Sequence, residues 1–291
     1  MIQILQQLVT SVSVGGLYAL LAVGYALIYS VFDFTNFAFG GIMMVSAFAG
    51  YFATKLGVPT AAAMLVASAA GVLISVAVEL LAYRPMRKRN ANRLFLMISA
   101  MGVNIFITNL FLCLFGANLR ALPTGFSSNT IALGPLRIGV VDLLSLIVSV
   151  VALVLLTFFL YRTRAGVTVR ASALDMSTAG LMGIDVNRVS LIVFAISGIT
   201  AAIAGMFFGM KYNVYPAMGS ISNKAFIASV IGGLGSLKGA VIGGFLLGIL
   251  EIMVTAYISA TYRDLVSFAV MMIVLIFLPN GLFGMGDQNK L

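Results

Sequence analysis

The run LLSLIVSVVALVLLTFFLY, residues 143–161, passes nineteen positions without a charge and without alternating apolar and polar residues. A continuous apolar stretch of about 20 residues matches the thickness of a bilayer's hydrocarbon core when coiled as a helix. A barrel strand would alternate over roughly ten residues, so helix is the reading here. Composition extends the argument to the whole chain: 62% of residues are hydrophobic, 9% are charged, and mean hydropathy is +1.13. Soluble domains carry about 25% charged residues. So few charges cannot make a water-facing surface, and lipid as solvent leaves closed barrels or helix bundles. The fold class is therefore an all-α integral membrane protein, a polytopic helix bundle read as one domain over residues 1–291.

Eight stretches are long enough to span or come close: 8–31, 34–55, 60–82, 94–116, 140–161, 189–210, 239–258 and the shorter 264–280. A ninth, KAFIASVIGGLGSL at 224–237, is short and broken by glycines. The count is thus 8–9 transmembrane segments, nine if that short piece crosses. The loop RPMRKRNANR carries Arg84, Arg87, Lys88, Arg89 and Arg93 without an acid, which places it in the cytoplasm. With nine crossings the N-terminus lies outside and the C-terminus inside, and eleven of the 17 Lys and Arg residues fall inside against six outside. The N-terminus has no basic stretch before its apolar run and reads as a retained first span. The segment 116–139 is rich in turn formers and reads as an exterior connector.

Several chemistries drop out. The chain has no histidine and one cysteine, Cys113. That removes the usual general base and the common metal-ligand sets. The glycine-rich IGGLGSLKGAVIGG, residues 231–244, places Leu237 before Lys238 and Gly239 after it. A phosphate loop needs Gly before the lysine and Ser or Thr after it, so no nucleotide is held there. The net charge of +9 sits in loops, as membrane orientation requires, and does not imply a nucleic-acid partner.

The glycines have a packing use instead. Gly235, Gly239 and Gly243 lie four apart, as do Gly244 and Gly248. On a helix such positions make a smooth stripe for a close neighbour. Lys238 reads as a break facing the cytoplasm between two membrane segments, because charge deep in lipid is costly. Glu251, inside LLGILEIMV, is the leading functional charge within a span, or else an acid hydrogen-bonded to another helix. Glu79 reads as a local pair with Arg84. Asn36, Gly40 and Gly41 suggest irregular backbone between the first two spans, which lipid tolerates only when it is buried in protein or lines a cavity. With Glu251 these are the candidates for a translocation path.

The loop 162–188 is the least membrane-like part. Residues 169–182 are predicted to form a short helix ended by Gly183. Ala171, Leu174, Thr178 and Leu181 fall near one face of it, and such a stripe packs on its own bundle or docks in a partner's groove.

AYRPMRKRNANRLFLMISAMGVNIF, the loop ending in GLMGIDVNRVS, KAFIASVIGGLGSLKGAVIGG and YRDLVSFAVMMIVLIFLPNGLFG together resemble the permeases of branched-chain amino acid ABC transporters, in order over nearly the whole chain. The resemblance implies an importer with a second related permease, two ATP-binding subunits and a periplasmic substrate-binding protein, seated in the bacterial inner membrane. ATP and magnesium then belong to the partners, and this chain carries no cofactor and no catalytic residue. The resemblance also implies an ATPase-coupling helix, with Arg170, Ala173, Leu174, Asp175, Ala179, Leu181, Gly183 and Ile184 in it. This chain departs from the family pattern at two places: Phe39 stands where the family commonly has histidine, and Lys238 where it often has proline. Phe39 joins the pathway candidates with that reservation of residue type. Related permeases for urea, short amides and other small solutes stay open as an alternative, as does a stand-alone carrier, which would want more intramembrane carboxylates or histidines than this chain has.

Overall fold

The computed structural model describes residues 2–89, 91–123, 130–133 and 136–284. Its first helix, α1 (Ile2–Phe32), is the axis of the molecule. From Val14 to Ile28 nearly all its side chains are buried, among them Leu17, Tyr18, Leu20 and Leu21. A helix apolar on every face has no side to give to water and settles at a centre. Helices α9 (Val186–Tyr212), α10 (Ile221–Gly232) and α11 (Leu237–Tyr257) pack directly on it, and α2 (Phe39–Lys55), itself mostly buried, joins this inner layer against α9.

The helices α3 (Thr60–Val78), α5 (Arg93–Phe115), α6 (Val140–Arg162) and α12 (Arg263–Phe277) are outer elements. Their outer faces leave Leu73, Phe106, Leu155 and Phe277 exposed. Large apolar side chains on a continuous face are stable against lipid and not against water. α3 runs on through a π-helical turn, Glu79–Tyr83, into α4 (Arg84–Lys88). Between α6 and α9 lie two short helices, α7 (Arg164–Leu174) and α8 (Met176–Leu181).

Local signals explain the ends. The Asn92 side chain accepts from Leu94 N at 3.3 Å to open α5, and Asp185 accepts from Asn187 N at 2.9 Å to open α9. Each satisfies a backbone donor that the first helical turn leaves free. The α5–α6 connection contains a feature the turn-rich sequence did not announce. Strands β1 (Thr130–Leu133) and β2 (Leu136–Gly139) pair antiparallel, Thr130 opposite Gly139. Residues 124–129 and 134–135 of that connector lie outside the described residues.

Among the described residues, seven helices are long and apolar enough to cross a membrane by themselves. The shorter α2 and α10 decide the total. Val214, just after α9, exchanges backbone hydrogen bonds of 3.0 and 2.9 Å with Arg120, which lies beyond the far end of α5. Gly235, just after α10, packs against Tyr29 and Ser30 near the C-terminus of α1, the basic end of the bundle, where Asp33 meets Arg93 of the basic loop. Residues 213–235 therefore run from one end of the bundle to the other. α10 is a traversal, entered through a 3-10 turn at Pro216–Ser220. With α2 making the return from Asp33 to Lys55, the chain traverses the bundle nine times among the described residues.

The glycine stripe divides in two. Gly239 and Gly243 of α11 press on Gly232 and Ala228 of α10, while Gly244 and Gly248 press on Ala19 and Gly15 of α1. Gly235 belongs to neither surface. It has φ +84° and sits in the turn between α10 and α11, a left-handed conformation that glycine adopts without steric cost. Lys238 is exposed at this turn, at the basic end.

Candidate functional site

Two places gather chemistry. At the basic end, the Thr163 hydroxyl caps α7 by accepting from Gly166 N at 3.0 Å. Gly166 lies so close to the Phe159 and Leu160 carbonyls that α7 folds directly back from α6. The single helix expected over 169–182 is instead broken at Asp175, whose extended backbone ends α7 and whose carboxylate starts α8. Asp175 accepts from Ser177 N at 2.8 Å, from Thr178 N at 3.2 Å, and from the Thr178 hydroxyl. These donors favour the ionised form and hold its pKa below the ordinary carboxylate value. A capping aspartate prefers a helix start to a helix interior, which is why the periodicity alone misread it. Gly183, with φ +87°, closes α8.

This pair of helices has a clear inside and outside. Val169, Ser172 and Ala179 are buried, and Ala173 and Ile184 pack partly on the core. Leu174, Leu181 and Met182 are 79%, 88% and 81% exposed. Arg170 stands over the Tyr161 ring at 4.8 Å. Three large apolar side chains therefore project outward together, a recognised signature of a protein-binding surface.

The second place lies in the half of the bundle away from the basic end. Glu251 of α11 is fully buried and forms ion pairs with Lys224 of α10 and Arg263 at the start of α12. Lys224 also meets Asp264 at 2.7 Å, and the Arg263 guanidinium donates to the Tyr18 hydroxyl at 3.1 Å. Two cations and two carboxylates balance, as charge buried among helices must. A cavity of about 360 Å³ opens beside them, lined by Tyr18, Tyr212, Lys224, Arg263 and Asp264, with Ile221, Ile227 and Phe268 as its apolar wall. Of this group the sequence pointed to Glu251 alone. Lys224 and Arg263 stand 27 and 12 residues from it, separations with no periodic signal.

The other pathway candidates lie elsewhere. The irregular backbone spans Asp33–Ala38, and Gly40 and Gly41 fall inside the first turn of α2. Asn36 is buried and accepts from Ala38 N at 3.1 Å and from the Tyr83 hydroxyl at 2.5 Å. Phe39 is fully buried, its ring 4.7 Å from Tyr25. Gly40 meets the Gly219 carbonyl, and Gly41 meets Asn104 and Ile107. The structure does not bring these residues to Glu251. Nor does Glu79 pair with Arg84: it takes Arg87 and Ser190 instead. Arg84, only five residues on, lies off the helical face that Glu79 presents, whereas Arg87, eight residues on, returns to it.

A family model described as branched-chain amino acid transport system / permease component matches residues 7–275. The chain belongs to this family. The match takes in α7, α8 and the charged cluster, and the protein is a multi-pass membrane permease by family and by its apolar helices. LivH of Salmonella typhimurium, a high-affinity branched-chain amino acid transport system permease protein, is 35% identical over 98% of this chain and 97% of its own length. BraD of Pseudomonas aeruginosa, with the same description, is 34% identical over the same shares. A solved structure described as an inward-facing conformation of a putative metal-chelate type ABC transporter aligns with a TM-score of 0.55 at 15% identity, covering 94% of this chain and 86% of that one. That likeness speaks to the fold alone.

Proposed function

We propose that this permease-family chain is the membrane-spanning subunit of an ATP-driven importer for branched-chain amino acids in the bacterial inner membrane. The observation that carries the reading is the outward set of Leu174 on α7, Leu181 on α8 and Met182 just after it. The glycine-rich segment at 231–244 lacks the residues that hold a nucleotide phosphate, so the driving force enters through a surface. Two ATP-binding subunits, holding ATP and magnesium, grip this surface. Their closure displaces α7 and α8, and because Gly166 locks α7 against the end of α6, the displacement passes into the spans. A second related permease completes the membrane unit, and a periplasmic binding protein delivers solute to the end opposite α7 and α8. No covalent chemistry occurs in this chain.

The test is purification of the protein from its native membrane, followed by leucine uptake with and without ATP. Co-purified ATPase subunits with ATP-dependent leucine uptake support the reading. ATPases without leucine uptake redirect it to urea, amides or other small solutes. Absence of any ATPase overturns it.

A further inference from the structure

The charged cavity beside Glu251 discriminates between those solute classes. We infer that it is a subsite for a zwitterionic α-amino acid with an apolar side chain, where Lys224 takes the carboxylate and Asp264 takes the ammonium. This rests on the reading that the chain moves branched-chain amino acids.

The argument begins with how unequally the four charges are held. Glu251 has no exposed surface and is contacted by both Lys224 and Arg263. Arg263 is occupied by Glu251 and by the Tyr18 hydroxyl at 3.1 Å. The Lys224–Asp264 pair, at 2.7 Å, is different: the Asp264 side chain is 69% exposed while that of Lys224 is 16% exposed. It is the one ion pair of the cluster that can open toward the cavity without taking a partner from Glu251, which keeps both Lys224 and Arg263.

What can take its place follows from charge balance. The two cations and two carboxylates of the cluster already balance, so a solute cation or a solute anion alone would leave one charge of this partly buried group unmatched. Leaving one member of a partly buried pair unmatched is strongly unfavourable. A neutral solute such as urea offers neither cation nor anion and cannot replace the pair. An α-amino acid carries both charges on one carbon, so it exchanges one ion pair for two and leaves no charge unmatched. The walls fit the remainder. Ile221, Ile227 and Phe268 line the cavity, and an aliphatic side chain would be removed from water against them. The volume, about 360 Å³, lies at the small end of the range of about 300–1,000 Å³ usual for ligand pockets.

The test uses the intact permease assembly in lipid nanodiscs with the binding protein omitted. Binding of tritiated leucine is competed by unlabelled leucine, by isocaproate, which lacks the ammonium, by isoamylamine, which lacks the carboxylate, and by urea. Leucine is expected to compete at least about tenfold better than each of the others. D264N should bring leucine down to the level of isocaproate, and K224Q to the level of isoamylamine. Such crossed losses do not follow from general damage to the fold. Equal competition by all solutes, no competition by millimolar leucine, or unchanged preferences in both variants would overturn the subsite. ATP-driven leucine uptake by the complete wild-type importer is measured alongside. Its absence brings down the substrate reading itself, whereas uptake with unchanged preferences in the variants brings down only the subsite.

Discussion

Gly232 of α10 and Gly239 of α11 meet backbone to backbone, so closely that a methyl group on either would overlap the other's carbonyl oxygen. Their contact lets the short α10 lie flat against a full-length helix. In lipid, where apolar side chains gain little by leaving their solvent, such close approach is a main source of helix association. G239V is therefore expected to separate α10 from α11 and cost about 1–3 kcal/mol or more. It should lower the melting temperature in detergent. Gly102 of α5 has nothing near its Cβ position, and G102A should melt at or slightly above the parent temperature. Equal effects of the two substitutions would refute the packing role.

Glu251 holds Lys224 and Arg263 in place among helices α10, α11 and α12. E251L leaves both cations without their buried partner, which costs about 3–5 kcal/mol. Chemical denaturation followed by tyrosine fluorescence should register the loss. A variant as stable as the parent would mean that Glu251 is not the anchor of this cluster.

Leu181 is 88% exposed at the tip of α8. L181D should leave folding and membrane insertion unchanged, because the site gives up no internal contact of consequence. Stimulation of ATPase activity by loaded binding protein should fall at least about tenfold, as for loss of an anchoring side chain at an interface. Full stimulation in L181D would remove α8 from the coupling path.

Asp175 titrates below the ordinary carboxylate value because its hydrogen bonds to Thr178 and Ser177 favour the charged form. A lowered folded-state pKa makes its contribution to α8 complete above the ordinary range and lost as pH falls through the lowered value. Amide hydrogen exchange at Ser177 and Thr178 should therefore accelerate on acidification beyond what the intrinsic pH dependence of exchange accounts for. D175A should show the faster exchange at every pH. Identical protection in parent and D175A would show that the cap does not hold the helix.

The nine-traversal arrangement sets Leu56 and Lys238 at opposite ends of the bundle, both exposed. With Cys113 replaced by serine, a cysteine at 56 should react with an impermeant reagent from outside whole cells. A cysteine at 238 should react only after the membrane is opened. Labelling of both from outside would mean that residues 213–235 turn back without crossing.

Much of this architecture was legible without coordinates, for identifiable reasons. Continuous apolar runs such as 143–161 name a membrane helix because length and hydropathy are local properties. The basic loop at 84–93 is a local signal too, and it predicts which end of the bundle faces the cytoplasm. Glycines four apart announced close packing, and Gly183 announced a helix end. Partnership was not legible. Gly239 and Gly248 share a spacing with their neighbours yet face two different helices, and Gly235 looks like a stripe residue but turns the chain. Glu251 was visible as a charge in an apolar run, but Lys224, Arg263 and Asp264 were not visible as its company. Helix capping by Asp175 overrode a periodicity that ran through it, and Glu79 pairs with Arg87 rather than with the nearer Arg84. The sequence by itself determined that this protein is a helical membrane protein and roughly where each helix lies, since lipid imposes those rules segment by segment. Only the tertiary structure decided which charges share a cavity, because that depends on how helices far apart in the chain rotate and pack against one another.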